Sequence, residues 1–380
     1  MTDVSDRQHA VIVIGAGQAG LAAAYQLGRR AMDFVVLEAD DRVGDVWRRR
    51  YDSLRLYSPA KYDALPGLAL PLPAHAFPTG RQMGDYLESY ARHHELPVRT
   101  GVRVDGLRAS GDGGGGYVVS AGTREYRADQ VIVATGGFQR PRVPAFADSL
   151  NPAIRQLHSS EYRGPQQLAD GPVLVVGLSH SGADIAYESA TSGHETFVSG
   201  SAHGQLPFSV DSRRARVAWP LLRFVASNVL TLATPIGRRM APKVRRGGGP
   251  LLRVRRDDLL GAGVNLHGAR TTGAGDAGRP MLADGTAVDV ANVIWCTGFR
   301  PDYGWVRLPI FDADGWPMQR RGVVETAPGI YMLGLPFLFG FASMLVLGAA
   351  RDAAFVVERV AARASERSEG ASARARSTAV

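Results

Sequence analysis

The sequence predicts an α/β fold of two doubly wound parallel sheets, the second inserted into a discontinuous first, on three observations. An apolar strand, a glycine turn and a helix start occur at residues 11–20 (VIVIGAGQAG) and recur at 173–186 (VLVVGLSHSGADIA). Two later strands end in matching small-residue turns, ATGGF at 134–138 and CTGFRPD at 296–302, as expected where a chain crosses twice between two units. The length of 380 residues is enough for two cores.

Residues 11–14, Val-Ile-Val-Ile, read as a strand buried on both faces. In the G-x-G-x-x-G that closes it, Gly15 permits the tight turn, Gly17 lets backbone approach a pyrophosphate, and Gly20 lets helix pack close on strand. The helix that follows, 18–30, turns unpaired first-turn N–H groups toward the phosphates, beginning with Gln18 and Ala19. A second strand at 34–37 ends in Glu38, where a carboxylate can take ribose hydroxyls. Together these features make a dinucleotide site.

Residues 39–67 are rich in aromatic residues and proline around Gly44 and Trp47, as expected of a segment that wraps a ring system. Thr79 is placed to cap a helix running to about His93, 98–107 is strand-like, and 111–116 is a glycine-rich hairpin tip before a strand at 117–120. The buried strand 131–134 ends in Ala134, Thr135 and Gly136, whose small size brings backbone close to a bound dinucleotide. Pro141 and Pro144 mark a change of direction, and LHSSEYR at 157–163 follows as a polar loop carrying His158.

In the second unit Ser179 stands where the middle glycine would be, between Gly177 and Gly182, with His180 and Ser181 opening the helix. A repeated strand, turn and helix means a second nucleotide site. The next strand, 196–199, ends in Ser199-Gly-Ser with no acid, and Arg213 and Arg214 lie downstream. Hydroxyls and arginine accept a 2′-phosphate that a carboxylate would repel, so this site is predicted to prefer NADPH over NADH. Residues 264–267 and 288–289 read as edge strands. The strand 292–297 leads through Thr297 and Gly298 to a strand at 329–335 and a closing helix at 343–362, which return the chain to the first unit. The divisions expected are 8–150 and 295–362 for the first domain, 151–294 for the second with an insertion at 207–256, and a disordered tail at 363–380.

The net charge is +8, nearly all of it arginine, and no zinc-finger spacing or RNA-binding signature accompanies it, so nucleic acid is not expected as a partner. A single cysteine, Cys296, excludes an intrachain disulfide or C-x-x-C redox pair. The N-terminus has no basic-then-apolar signal pattern, and the expected location is cytoplasmic. Residues 330–350 are uncharged but broken by Gly334, Pro336, Gly340 and Gly348, and read as strand, loop and buried helix start. Residues 224–237 are also uncharged and precede a basic stretch; a core or dimer-packing helix pair is favoured there over contact with an anionic membrane surface.

These motifs, with YDSLRLYSPAKYDALPG at 51–67, resemble the flavin-containing monooxygenases, in the short bacterial and plant branch that includes indole-pyruvate monooxygenase-like proteins. The resemblance covers roughly residues 10 to 360. It implies FAD at the first turn, with Val46, Trp47 and Val104 among its contacts, and NADPH at the second, with the closing helix facing the flavin. It also implies that Trp47, Tyr57 and Ser58 line the flavin, where some relatives carry an asparagine. The implied activity forms a C4a-hydroperoxyflavin and places one atom of O2 on a small nitrogen, sulfur or 2-oxo acid substrate. An NADPH-dependent flavoprotein reductase or oxidase is the alternative. Pro152 and Ile154 replace the family's Phe and Gly ahead of His158, and Tyr162 stands four residues after it.

Overall fold

A computed structural model describes residues 8–111, 115–245 and 247–378, with side chains to residue 369. The extreme N-terminus (1–7) and the middle of the expected hairpin tip (112–114) therefore lie outside the described residues.

The first sheet runs in the order β3-β2-β1-β6-β5-β4, made of β1 (Gln8–Ile14), β2 (Phe34–Leu37), β3 (Val98–Arg99), β4 (Gly106–Ala109), β5 (Tyr117–Ala121) and β6 (Arg124–Val133). The three strands around β1 are parallel, in register from Val11 against Phe34 and Gln130. Two partners share the far edge of β6. Its first half pairs antiparallel with β5, and Val131–Val133 pair in parallel with β16 (Ile330–Met332), which brings the chain's return to the sheet centre. Continuous burial of β1, β2 and the end of β6 explains why their sequences show no alternation. Helices α1 (Gln18–Gly28) and α3 (Gly80–His93) and a long C-terminal helix cover this sheet. Thr79 caps α3 with a reciprocal Gln82 bond, as expected.

The second sheet is wholly parallel, in the order β11-β10-β9-β14-β8, from β8 (Arg155–His158), β9 (Val173–Val176), β10 (Thr196–Ser199), β11 (Asn265–His267) and β14 (Asn292–Trp295). Helix α4 (His180–Thr191) follows β9 as α1 follows β1. Short strands β7 (Arg140–Pro141) and β15 (Phe299–Arg300) pair antiparallel, so the segments leaving the two T-G turns run side by side.

Several local expectations need correction. Residues 98–107 are two strands, because Gly101 takes φ +67° and Val102 donates its N–H to the Glu38 carbonyl (2.8 Å). Residues 288–289 are not a strand. The antiparallel pair in this region is β12 (Thr271–Ala274) with β13 (Pro280–Leu282). The closing helix is preceded by a 3-10 turn, Phe341–Met344, and runs as α8 from Val346 to Thr378. Residues 363–378, read as disordered from their polarity, continue it. Alanine, arginine and glutamate favour helix, no proline interrupts, and Arg367 donates to Asp129 (3.0 Å).

The insertion folds as α5 (Arg213–Phe224), a π-turn at Val225–Val229 and α6 (Pro235–Arg245), before α7 (Arg256–Gly261). Trp219 packs with Tyr62 and Phe77 and donates its N–H to the Val210 carbonyl (3.1 Å). Beyond the π-turn the backbone pairs with the segment before α8, through Leu232 N–H to Phe339 O and Phe341 N–H to Leu230 O (both 2.8 Å). Among the described residues no helix is long and apolar enough to cross a membrane.

Candidate functional site: two dinucleotide turns

The two turns repeat each other in atomic detail. A Cβ on Gly15 (φ +101°) would sit 2.8 Å from the Ala134 carbonyl, and one on Gly177 (φ +104°) 2.6 Å from that of Cys296. Each first glycine thus lets its turn press against a small-residue strand end. A Cβ on Gly20 or Gly182 would lie 1.9 Å from the carbonyl of Gly15 or Gly177 respectively. Those glycines exist for helix-on-turn packing. Gly17 differs: it heads α1 in extended conformation, and its Cβ would meet nothing within 4 Å. Space is likewise open over Gly136 and Gly298.

At the first turn the Glu38 carboxylate accepts from Ala16 N–H (2.6 Å) and Asp40 N–H (3.0 Å), while burial pushes its pKa up. It is held at the strand end where a ribose is expected. Ala19 lies beside Gly334, just past β16, so the returning chain borders the same turn. Val104 is half-buried between β3 and β4, and Val46 is exposed on the one-turn helix α2 (Asp45–Arg48). Gly44 (φ +89°) leaves no room for a side chain against the backbone of Gly84. That contact fixes Trp47, which packs against the cores of both sheets and carries a buried indole N–H with no partner.

Beside the second turn lies a cluster that no single motif announces. Asp184, on the second turn of α4, accepts at one carboxylate oxygen from Tyr51 OH (3.0 Å), Tyr57 OH (2.8 Å) and Arg253 (2.8 Å). The tyrosines come from the loop after α2 and the arginine from the insertion. Three segments far apart in sequence therefore meet on one carboxylate. Burial raises the Asp184 pKa and the neighbouring Arg253 opposes it; burial also holds both phenols well above their ordinary value. The Tyr57 ring lies 4.9 Å from the His180 ring, whose buried Nε2 has no partner and whose pKa burial lowers. Ser58 spends its hydroxyl on Asp63 (2.6 Å), whose carboxyl burial pushes up to about 7.

At the second turn Ser179 is the N-cap and its hydroxyl accepts from Gly249 N–H (3.0 Å), so the glycine strap 247–249 lies over this helix start beside His180. Ser199 is buried with its hydroxyl on Thr271 Oγ1 (2.7 Å). Arg213 opens α5, whose buried face packs toward Tyr62 and Phe77, and among the described residues no hydrogen bond or ion pair joins it to Ser199, whose hydroxyl meets Thr271. Thr297 donates to the Arg142 carbonyl, and Gly298 (φ +81°) offers its carbonyl to His158 Nε2 (3.0 Å). With Nδ1 accepting from Ser160 N–H (3.1 Å), His158 is buried and fully satisfied, pinning the crossing.

Residues 12–212 match the pyridine nucleotide-disulphide oxidoreductase family. The chain belongs to this family. It is 36% identical over 352 residues to an uncharacterized CzcO-like oxidoreductase of Geobacillus kaustophilus, covering 92% of this chain and 97% of that one. It is 35% identical over 178 residues to an indole-3-pyruvate monooxygenase of Oryza sativa, across 47% of this chain and 44% of the relative. A flavin-containing monooxygenase from Stenotrophomonas maltophilia superposes with a TM-score of 0.73 at 27% identity, covering 94% and 99% of the two chains. Within the family, then, the chain is flavin-monooxygenase-like. Its single cysteine, Cys296, is half-buried with its thiol pKa raised by desolvation, so the dithiol chemistry in the family's name has no pair of thiols here.

Proposed function

We propose that this oxidoreductase is an FAD- and NADPH-dependent monooxygenase acting on a small soft-nucleophilic or 2-oxo acid substrate. NADPH supplies two electrons, one oxygen atom of O2 goes to the substrate, and the other leaves as water. The observation that carries the reading is the presence of two strand–glycine-turn–helix units in one chain, with Trp47 packed against both cores and its buried indole N–H unpartnered, and no second cysteine. Bound FAD supplies the oxygen activation, and the protein's tasks are binding, orientation and exclusion of water.

The residues divide those tasks. Gly15, Gly17 and Gly20 shape the first turn and Glu38 takes the adenosine ribose. Gln18 and Ala19 offer N–H groups to the pyrophosphate, and Ala134, Thr135 and Gly136 border it. Gly177, Ser179, His180, Ser181 and Gly182 do the same at the second turn, and Thr297 and Gly298 border that one. Trp47 donates its N–H at the junction. Tyr57, held protonated and tied to Asp184, closes the gap between the two ring sites. NADPH and the absence of any candidate spanning helix among the described residues suit an enzyme working in the cytoplasm.

Stopped-flow spectroscopy tests this. The NADPH-reduced protein, mixed with oxygen, is expected to show a near-ultraviolet absorbance that persists until substrate is added, with label from 18O2 in the product. Single-step reoxidation with stoichiometric peroxide, in the presence of nitrogen, sulfur and 2-oxo acid substrates, overturns it in favour of a reductase or oxidase. That second reading draws on Ser58 and Tyr57, whose hydroxyls are spent on Asp63 and Asp184.

A further inference from the structure

The positive charge is not spread over the chain. Residues 212–256 hold twelve arginines and lysines and no carboxylate, more than the whole net charge of +8, so the remainder of the chain is net negative. Within that segment α5 has two apolar faces. Ala215 and Trp219 point inward, whereas Val217 (84% exposed), Leu221 (65%) and Phe224 (57%) stand at i, i+4 and i+7 on the solvent side. Ile236, in the first turn of α6, is also more than half exposed (53%). Arg213, Arg214, Arg216, Arg238, Arg239 and Lys243 are exposed, and among the described residues none of the six forms an ion pair.

This display is held in place rather than frayed. Arg351 of α8 donates to the Ser227 carbonyl (2.7 Å), Arg245 lies over the Trp316 ring (4.8 Å), and the backbone beyond the π-turn is hydrogen-bonded to Phe339 and Phe341. The exposed apolar side chains of α5 are thus carried on a segment anchored to α8 and to the residues before it. A proline inside each helix, Pro220 and Pro242, is tolerated on the exposed side.

We propose that α5 and the start of α6 form a peripheral docking face for an anionic lipid surface. Apolar residues interleaved with unpaired cations are what an interfacial helix needs: the apolar side chains enter the headgroup boundary while the cations meet lipid phosphate. A second copy of the chain fits less well, because a two-fold contact sets this patch against itself, cation to cation. An acidic nucleic acid matches the cations but leaves Val217, Leu221 and Phe224 without a role.

Vesicle flotation with the full-length flavin-loaded protein tests the proposal. Vesicles containing phosphatidylglycerol should carry the protein at about 0.1 M salt, pure phosphatidylcholine vesicles should not, and about 0.5 M salt should weaken binding at least tenfold. The triple variant V217S/L221S/F224S should lose about tenfold or more in partitioning, as should R238Q/R239Q/K243Q, with flavin content and NADPH consumption in solution unchanged. Three results overturn the proposal: no flotation with phosphatidylglycerol at low salt, equal flotation with phosphatidylcholine, or variants that partition like the parent. A parent that binds no vesicle but is a dimer dissolved into monomers by the serine substitutions would overturn it too, assigning the face to self-association.

Discussion

Gly17 and Gly20 lie three residues apart in one turn and do different work. A side chain on Gly20 collides with the Gly15 carbonyl at 1.9 Å, inside the protein, whereas one on Gly17 enters open space in an extended conformation that any residue adopts. Gly17→Val is therefore expected to fold, with the apoprotein's stability within about 0.5 kcal/mol of the parent, yet to retain little flavin. Gly20→Val should cost about 1–3 kcal/mol or more in the apoprotein itself. Thermal melts of flavin-stripped protein beside flavin content on purification check both, and a fully yellow Gly17→Val protein contradicts the cofactor assignment. Asp63 gives a second residue-scale test. Its carboxyl, with one oxygen on Ser58 and the other buried unpartnered, has its pKa raised by burial to about 7 from 3.8. A raised carboxyl contributes stability that is complete below the unfolded pKa and is lost as pH rises through the folded one. Asp63→Asn keeps the neutral shape, so its stability relative to the parent should climb by up to about 1.4 kcal/mol per pH unit between pH ~4 and ~7 and then level off. Parallel denaturation profiles for the two proteins would show that Asp63 stays ionised.

At the scale of elements, what the sequence made legible was local. Strand, turn and helix at 11–28 and 173–191 follow from apolar runs and glycine spacing read within one window, and Thr79 announces α3 by its own hydrogen bond. The pairing of β7 with β15 is seen only in the structure, whereas the two crossings before it are marked by ATGGF and CTGFRPD, which look alike. The Asp184 cluster was hidden for the opposite reason. Tyr51, Tyr57 and Arg253 reach it from 133, 127 and 69 residues away, and no periodicity encodes such a meeting. The one available signal was an acid inside GLSHSGADIA, on a helix face that packing buries. Ser199 and Ser58 likewise meet partners that no periodicity encodes, Thr271 and Asp63. In the tail, polarity points to disorder, whereas helix propensity and an ion pair from Arg367 to Asp129 accompany a continued α8.

For the molecule as a whole, the decisive arrangement is a mixed sheet and a parallel sheet with separate cores, crossed by the chain twice and bridged by Trp47 and the Asp184 cluster. The proposed placing of the cofactors rests on charge. Glu38 ends the second strand of the first sheet and would repel a 2′-phosphate, whereas Ser199-Gly-Ser ends the matching strand of the second sheet with no acid. On the proposed assignment of FAD to the first turn and NADPH to the second, NADPH is expected to be favoured at least about tenfold over NADH. Hydrogen exchange can read this directly, because a ligand slows exchange most where it binds. Removing flavin should speed exchange at residues 11–22 and 34–38. Adding NADP+ to the flavin-loaded protein at ~100 times its Kd should slow residues 175–185 by up to about a hundredfold, with little change at 11–22. The strap 247–249, which touches Ser179 and His180, should respond with the second turn rather than the first. A reversed pattern exchanges the two assignments. Uniform slowing of both sheets by NADP+ would mean that closure of the Tyr57–Asp184 contact, not local binding, carries the stabilisation.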